Sequence, residues 1–157
     1  LIGENFKLKI IDFDLACHES DPDILSRGTK FYRAPEILKS ECKNYFAADV
    51  YSAGIILFIL KSGGIIPQTE NEIYEGCNLY QLLQKNPRAF WKKHKEVQGR
   101  EDNFWSDEFK HLFVSMTKED PAQRATISQI KKSKWYKGPT YSDEEVYYIM
   151  KNYFEDA

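Results

Sequence analysis

Four groups of residues in this chain have side chains and spacings suited to chemistry. Asp12-Phe13-Asp14 closes the run Lys7 to Phe13, in which Leu8 and Ile10 alternate with Lys7 and Lys9 in the manner of a half-buried strand. A carboxylate at a strand end offers a hard oxygen of the kind Mg²⁺ takes; the plainer alternative is an Asp that ends the strand by bonding a turn. The second group is the string Gly28-Thr29-Lys30-Phe31-Tyr32-Arg33-Ala34-Pro35-Glu36. Taken alone, its Thr29 is a turn hydroxyl bonded to local backbone. The third is Asp49, inside Asp49-Val50-Tyr51-Ser52-Ala53-Gly54. It lies in a segment apolar on nearly every face, so it is predicted to be buried, and a buried carboxylate must find donors or shift its pKa. The fourth is Asp120-Pro121-Ala122-Gln123-Arg124-Ala125-Thr126.

The elements that must position these groups are mainly helical. Pro35 suits the first position of a short helix over Phe31 to Lys39. Phe46 to Lys61 is predicted to be a helix at the centre of the core, because it shows no polar face, with Gly63 and Gly64 as its stops. Its apolar stretch from Val50 to Leu60 is shorter than the roughly 20 residues a membrane span needs. Asn78 to Lys85 and Pro87 to Val97 look like two short helices. Phe109, Leu112, Phe113 and Met116 repeat at helical spacing behind Ser106 as N-cap, with Asp107 and Glu108 in the first turn. Thr126 with Gln129, and Ser142 with Glu145, make capping boxes. The last helix places Val146, Ile149, Met150 and Tyr153 on one stripe. The polar run from Ala16 to Gly28 has no period and is a loop.

Composition narrows the function classes. With 22 Lys+Arg against 24 Asp+Glu over 157 residues, the net charge of −2 argues against a general nucleic-acid or membrane-surface binder. The three cysteines, Cys17, Cys42 and Cys77, form neither a disulfide framework nor a zinc site, which favours a reducing, cytoplasmic setting. His18, His94 and His111 lack ligand spacing and are expected at the surface or in loops, whereas Trp91, Trp105, Trp135 and Tyr136 are expected to pack in the core or a groove. Glu70, Glu72 and Glu75 are either a solvated charged face or a reader of basic substrates.

In this order, the four groups resemble the C-terminal lobe of a eukaryotic serine/threonine protein kinase. Asp12 matches the Mg²⁺-binding Asp of Asp-Phe-Gly. Gly28-Thr29, Tyr32 and Ala34-Pro35-Glu36 match the end of an activation segment. Asp49 matches the Asp that opens Asp-x-Trp-Ser-x-Gly, with Tyr51 in place of Trp, and Arg124 matches the late Arg that pairs with the Ala-Pro-Glu carboxylate. Trp135-Tyr136 loosely resembles the calcium/calmodulin-dependent-kinase-like group. Asp14 departs from the pattern, which has Gly there.

The resemblance implies a mainly α, protein-kinase-like C-terminal lobe with a short N-terminal β element. A partial kinase domain would span 1–136 and a C-terminal extension helix 137–157. It implies ATP and Mg²⁺ as cofactors, with Asp12 as the metal and nucleotide ligand and a protein Ser or Thr as acceptor. Thr29 would support the catalytic base and line the acceptor site; Glu36 and Arg124 would form a structural ion pair, and Asp49 would be structural. Ser26 is a candidate phosphorylation site, with an unmodified loop serine as the alternative. The Gly-rich loop, the β-strand Lys, the catalytic loop with the general base, and the N-terminal lobe would have to lie upstream, so the 157 residues alone are expected to be inactive. The alternatives are a pseudokinase or scaffold lobe that binds protein without catalysis, or an unrelated helical adaptor.

Overall fold

The computed structural model describes residues 1–18, 28–67, 79–101 and 103–155. It forms two compact units, one made of Leu1–Cys17 with Gly138–Ala157 and the other of His18–Lys137.

The larger unit is helical. A single 3-10 turn, Lys30–Tyr32, leads to α1 (Pro35–Leu38), which starts on Pro35 as its sequence dictates. The long helix α2 (Tyr45–Ser62) begins where the Asn44 side chain accepts the Ala47 N–H at 3.0 Å, and ends at Gly63 in the left-handed region (φ 79°). The helices α3 (Leu79–Lys85) and α4 (Pro87–Gln98) follow. Ser106 caps α5 (Asp107–Met116), and Thr126 with Gln129 makes the reciprocal capping box of α6 (Ile127–Lys132).

Their shared core is aromatic. Phe58 of α2 is fully enclosed by Phe90 and Trp91 of α4, Phe113 of α5, and Trp105, whose ring stacks on it at 4.9 Å. Gly54 lets α2 lie against the end of α5: a Cβ at that position would sit 3.0 Å from Thr117 Cγ2 and 3.1 Å from Met116 Cβ.

Helix α2 is not buried all round. Ala47, Ala48, Val50, Tyr51, Gly54, Ile55, Phe58 and Ser62 face the core, while Phe46 (70% exposed), Ile56 and Leu60 (73% exposed) face outward. At 18 residues it is also long and apolar enough to cross a membrane by length and composition, a test that a core helix passes too. Asp49 lies on the outward face and is exposed, contrary to the expectation of burial. A segment apolar on every face carries no sign of which face its neighbours cover, so its uniform hydropathy gave the wrong burial for its one acid.

Two further expectations fail. His94 is completely buried, its ring 4.8 Å from Phe58 and 4.5 Å from Phe90, with the Gln98 side-chain amide 3.4 Å from Nδ1. Its position on the apolar side of α4, one turn beyond Phe90 and Trp91, places it in the core. Tyr136, by contrast, is half exposed, while Trp135 packs on Phe109 at 5.7 Å.

Arg124 joins three parts of this unit. Its Nη1 and Nη2 donate to Glu36 Oε1 (2.5 Å) and Oε2 (2.6 Å) at the start of α1. Nη1 also donates to the Ala47 carbonyl of α2 at 3.0 Å, and Nε to the Lys118 carbonyl beyond α5 at 2.7 Å. Both residues are buried, at 5% and 8% exposed, and the guanidinium lies over the Tyr51 ring.

In the smaller unit the predicted strand is reduced to an isolated antiparallel bridge, Ile2 with Leu8, around a turn at Glu4–Phe6. A strand needs a neighbour to bond, and Leu8 and Ile10, on the side of the run expected to be buried, are both exposed. The helix α7 (Asp143–Glu155) begins at the Ser142–Glu145 box, whose bonds hold the Glu145 carboxyl below its usual range. It meets the turn through Tyr147 and Phe154, which contact the Phe6 ring at 5.7 and 6.0 Å, and through Asp143, 3.4 Å from Lys7 Nζ. The predicted stripe misjudged this face: Ile149 and Tyr153 are exposed, because the partner is one aromatic residue on a turn rather than a helix.

Two outcomes follow for stability. Substituting Glu36→Gln leaves the Arg124 charge buried without its counter-ion, so it should cost about 3–5 kcal/mol in urea unfolding; a change under about 1 kcal/mol would contradict the pairing. Burial lowers the His94 pKa from 6.5 to about 4. The folded chain therefore keeps His94 neutral while the unfolded chain protonates it. This contribution is complete above pH 6.5 and is lost as the pH falls towards about 4, by roughly 3 kcal/mol. The His94→Leu variant should lose that much less stability between pH 7 and 4; parallel curves for the two chains would refute it.

Candidate functional site

The segment Gly28–Glu36 is held at both ends and in the middle. Its carboxyl end is fixed by fully buried Ala34 and by Glu36 on Arg124. In the middle, the Ser52 hydroxyl of α2 donates to the Tyr32 carbonyl at 2.7 Å. At the start, Gly28 takes φ 94°, a backbone region that glycine enters without steric cost, and its carbonyl accepts from Nε of Arg33 at 2.6 Å and from Nη2 of the same side chain. Between them the 3-10 turn is closed by Tyr32 N–H to the Thr29 carbonyl at 3.1 Å and Arg33 N–H to the Lys30 carbonyl at 3.2 Å. Thr29, Lys30, Phe31 and Tyr32 are all exposed, and the Thr29 side chain makes no capping bond to the turn it precedes. The result is an ordered, solvent-facing strip of main chain with a hydroxyl at one end.

Asp49 lies on the outward face of α2, three residues before Ser52. Partial desolvation there raises its carboxyl above the ordinary value. Asp120 does local work: its carboxylate accepts the Ala122 N–H at 2.9 Å and starts the 3-10 turn Pro121–Gln123, which delivers Arg124.

Asp12, in the smaller unit, is exposed, and its backbone is left-handed (φ 62°). Asp14, which stands where the resembling motif has Gly, is not among the positive-φ residues; it opens a turn in which the Ala16 N–H bonds the Phe13 carbonyl at 2.9 Å. Among the described residues no three His, Cys, Asp or Glu side chains cluster as a metal site. An exposed carboxylate such as Asp12 fits as one protein ligand of Mg²⁺, an ion that usually keeps several waters and substrate phosphates. Ser26 and the acidic residues Glu70, Glu72 and Glu75 lie outside the described residues.

The residue types and spacing did not single out Arg33 or the Ser52 bond to Tyr32. Arg33 reaches back five positions across a 3-10 turn, a separation with no periodic signature. Ser52 stood out only as a hydroxyl on an apolar helix.

The protein kinase domain family matches residues 1–136. CBL-interacting protein kinase 11 of Oryza sativa subsp. japonica is 33% identical over 144 residues, 88% of this chain and 26% of its own length. CBL-interacting protein kinase 26 of the same plant is 34% identical over 142 residues, 87% and 26% of the two chains. CBL-interacting serine/threonine-protein kinase 10 of Arabidopsis thaliana is 28% identical over 142 residues, again 87% and 26%. The chain thus spans about a quarter of the length of these curated relatives. On the match across residues 1–136, the order of its motifs and the helical fold of its described residues, the chain belongs to the protein kinase domain family, as C-terminal-lobe sequence.

Proposed function

We propose that this chain is the acceptor-holding lobe of a protein kinase that transfers the γ-phosphoryl group of ATP to a protein Ser or Thr hydroxyl. The observation that carries the reading is the exposed, tied-down strip Gly28–Glu36, anchored on α2 by Ser52 and on Arg124 by Glu36. Phosphoryl transfer is catalysed mostly by positioning and charge stabilisation, so a rigid strip that aligns an incoming peptide is a catalytic asset in itself. Thr29, exposed at its start, would meet the acceptor side chain. Asp12 would hold Mg²⁺, which when bound neutralises charge on the ATP phosphates.

The general base, the Gly-rich loop and the ATP-contacting Lys would come from upstream segments in cis, the last two from an N-terminal lobe. The outward face of α2, with Phe46, Ile56, Leu60 and Asp49, is the surface such a segment would cover. Family resemblance assigns Asp49 a structural role there, accepting main-chain N–H groups. Ser26 would be a phosphorylation site in the activation loop. The domain would run over 1–136, with α7 as a C-terminal extension, in a reducing, cytoplasmic setting.

One observation favours a second reading, a pseudokinase lobe that binds protein without chemistry: Asp14 replaces Gly, and the left-handed backbone falls on Asp12 instead. Radiolabelled phosphate transfer separates the two. The chain joined to its upstream lobe should phosphorylate Ser/Thr peptides with ATP and Mg²⁺, and Asp12→Asn should lower kcat by more than about 100-fold, the scale of losing one electrostatic stabiliser. The 157-residue chain alone should show no turnover. Peptide binding without transfer by the joined protein would establish the second reading instead.

A further inference from the structure

We infer that Arg33 is a positioning residue for the phospho-acceptor, a strut that carries the buried anchor of α1 back to the exposed start of the acceptor strip; the inference rests on the kinase reading above. The geometry is local and directional. Ala34 and Glu36, immediately after Arg33, are buried and fixed. Thr29 and Lys30, where a peptide would meet the strip, are exposed. Something must transmit order across the residues between them, because a 3-10 turn of three residues is a weak element by itself.

The Arg33 side chain does so. Two of its donors, Nε and Nη2, converge on the single carbonyl of Gly28, with Nε at 2.6 Å. That closes a loop from Gly28 to Arg33, inside which the Thr29 and Lys30 carbonyls are already bonded to Tyr32 and Arg33 N–H groups. Gly28 is the residue that most needs such a tie. Its φ of 94° costs glycine nothing, but glycine is also free to leave that region, so an external bond must select it. The main-chain direction at Gly28 then sets where Thr29 points. Ser52 holds the far end of the same loop at the Tyr32 carbonyl, 2.7 Å away. With both ends fixed, the Thr29 hydroxyl is presented at one place before any peptide arrives, and the ordering entropy is removed from peptide binding.

The guanidinium is suited to this in a way an ammonium is not. Its planar, rigid fork lets two N–H groups address one oxygen from one side chain, while Lys offers a single rotating point donor. Arg33 is only half-buried, so its loss opens no cavity and strands no buried charge. Its effect should therefore appear in the order of the strip and not in global stability.

Two measurements test the inference separately from the kinase reading. In hydrogen exchange on the 157-residue chain, Arg33→Met should speed exchange of the Tyr32 and Arg33-position amides about tenfold and leave the α5 amides unchanged; equal protection in the two chains would overturn the strut. In the chain joined to its upstream lobe, Arg33→Met should raise the peptide KM about tenfold, equivalent to about 1.4 kcal/mol, with kcat within about twofold and the ATP KM unchanged. Arg33→Lys should fall between. Unchanged peptide KM in an active enzyme would overturn the positioning role and leave the kinase reading intact. Altered exchange together with no phosphoryl transfer by the wild-type joined protein would overturn the role by removing the reading it rests on, while the strut itself stood.

Discussion

The buried pair of Glu36 and Arg124 is the contact on which the rest of this structure depends. Two residues 88 positions apart in sequence meet in a two-pronged ion pair, and the same guanidinium also holds the Ala47, Lys118 and Glu119 carbonyls. A charge taken out of water is tolerable only when its donors are used, and here Nε, Nη1 and Nη2 all have acceptors. The cost of desolvating both groups is offset by geometry: the start of α1, the first turn of α2 and the chain beyond α5 cannot drift apart without exposing a charge to an apolar interior. Such a pair adds little net stability over a well-packed apolar substitute, so its value lies in fixing one arrangement.

From that anchor the strip Gly28–Glu36 is built outward. Glu36 fixes α1, Ala34 is buried beside it, Ser52 takes the Tyr32 carbonyl, and Arg33 returns to Gly28. The last two ties each use one polar side chain and one main-chain carbonyl, so that part of the strip needs no core of its own and can stay at the surface. The aromatic cluster around Phe58 serves the same end from the other side. It fixes α2 against α4 and α5, and so fixes Ser52 and Ala47 where the strip and Arg124 require them.

Much of this was legible in the sequence, and what was not has a physical reason. The helix starts at Ser106, Thr126 and Ser142 were readable because caps are local, a side chain satisfying a main-chain group within four residues, and Pro35 and Gly63 were readable from the backbone angles each residue favours. The motif order pointed to the fold family without any knowledge of distances. Burial was less accessible. The apolar pattern of α2 has no preferred face, so Asp49 was misplaced, and His94 was misplaced because the isolation of a histidine says nothing of which helix side it occupies. The run from Lys7 alternates like a strand but pairs only at Leu8, since pairing depends on a partner that its own residues do not specify. Arg33 escaped notice because a side chain reaching back to a carbonyl leaves no trace in composition or period.

Whether one ion pair secures the strip Gly28–Glu36 to the helical core is decided by a double-mutant cycle on Glu36 and Arg124. Unfolding free energies would be measured for the native chain, Glu36→Gln, Arg124→Met and the double variant. A coupling energy of at least about 2 kcal/mol is expected, near the upper part of the range found for residues in contact. Additivity within about 0.5 kcal/mol would mean that the two residues do not act on each other, and would contradict it.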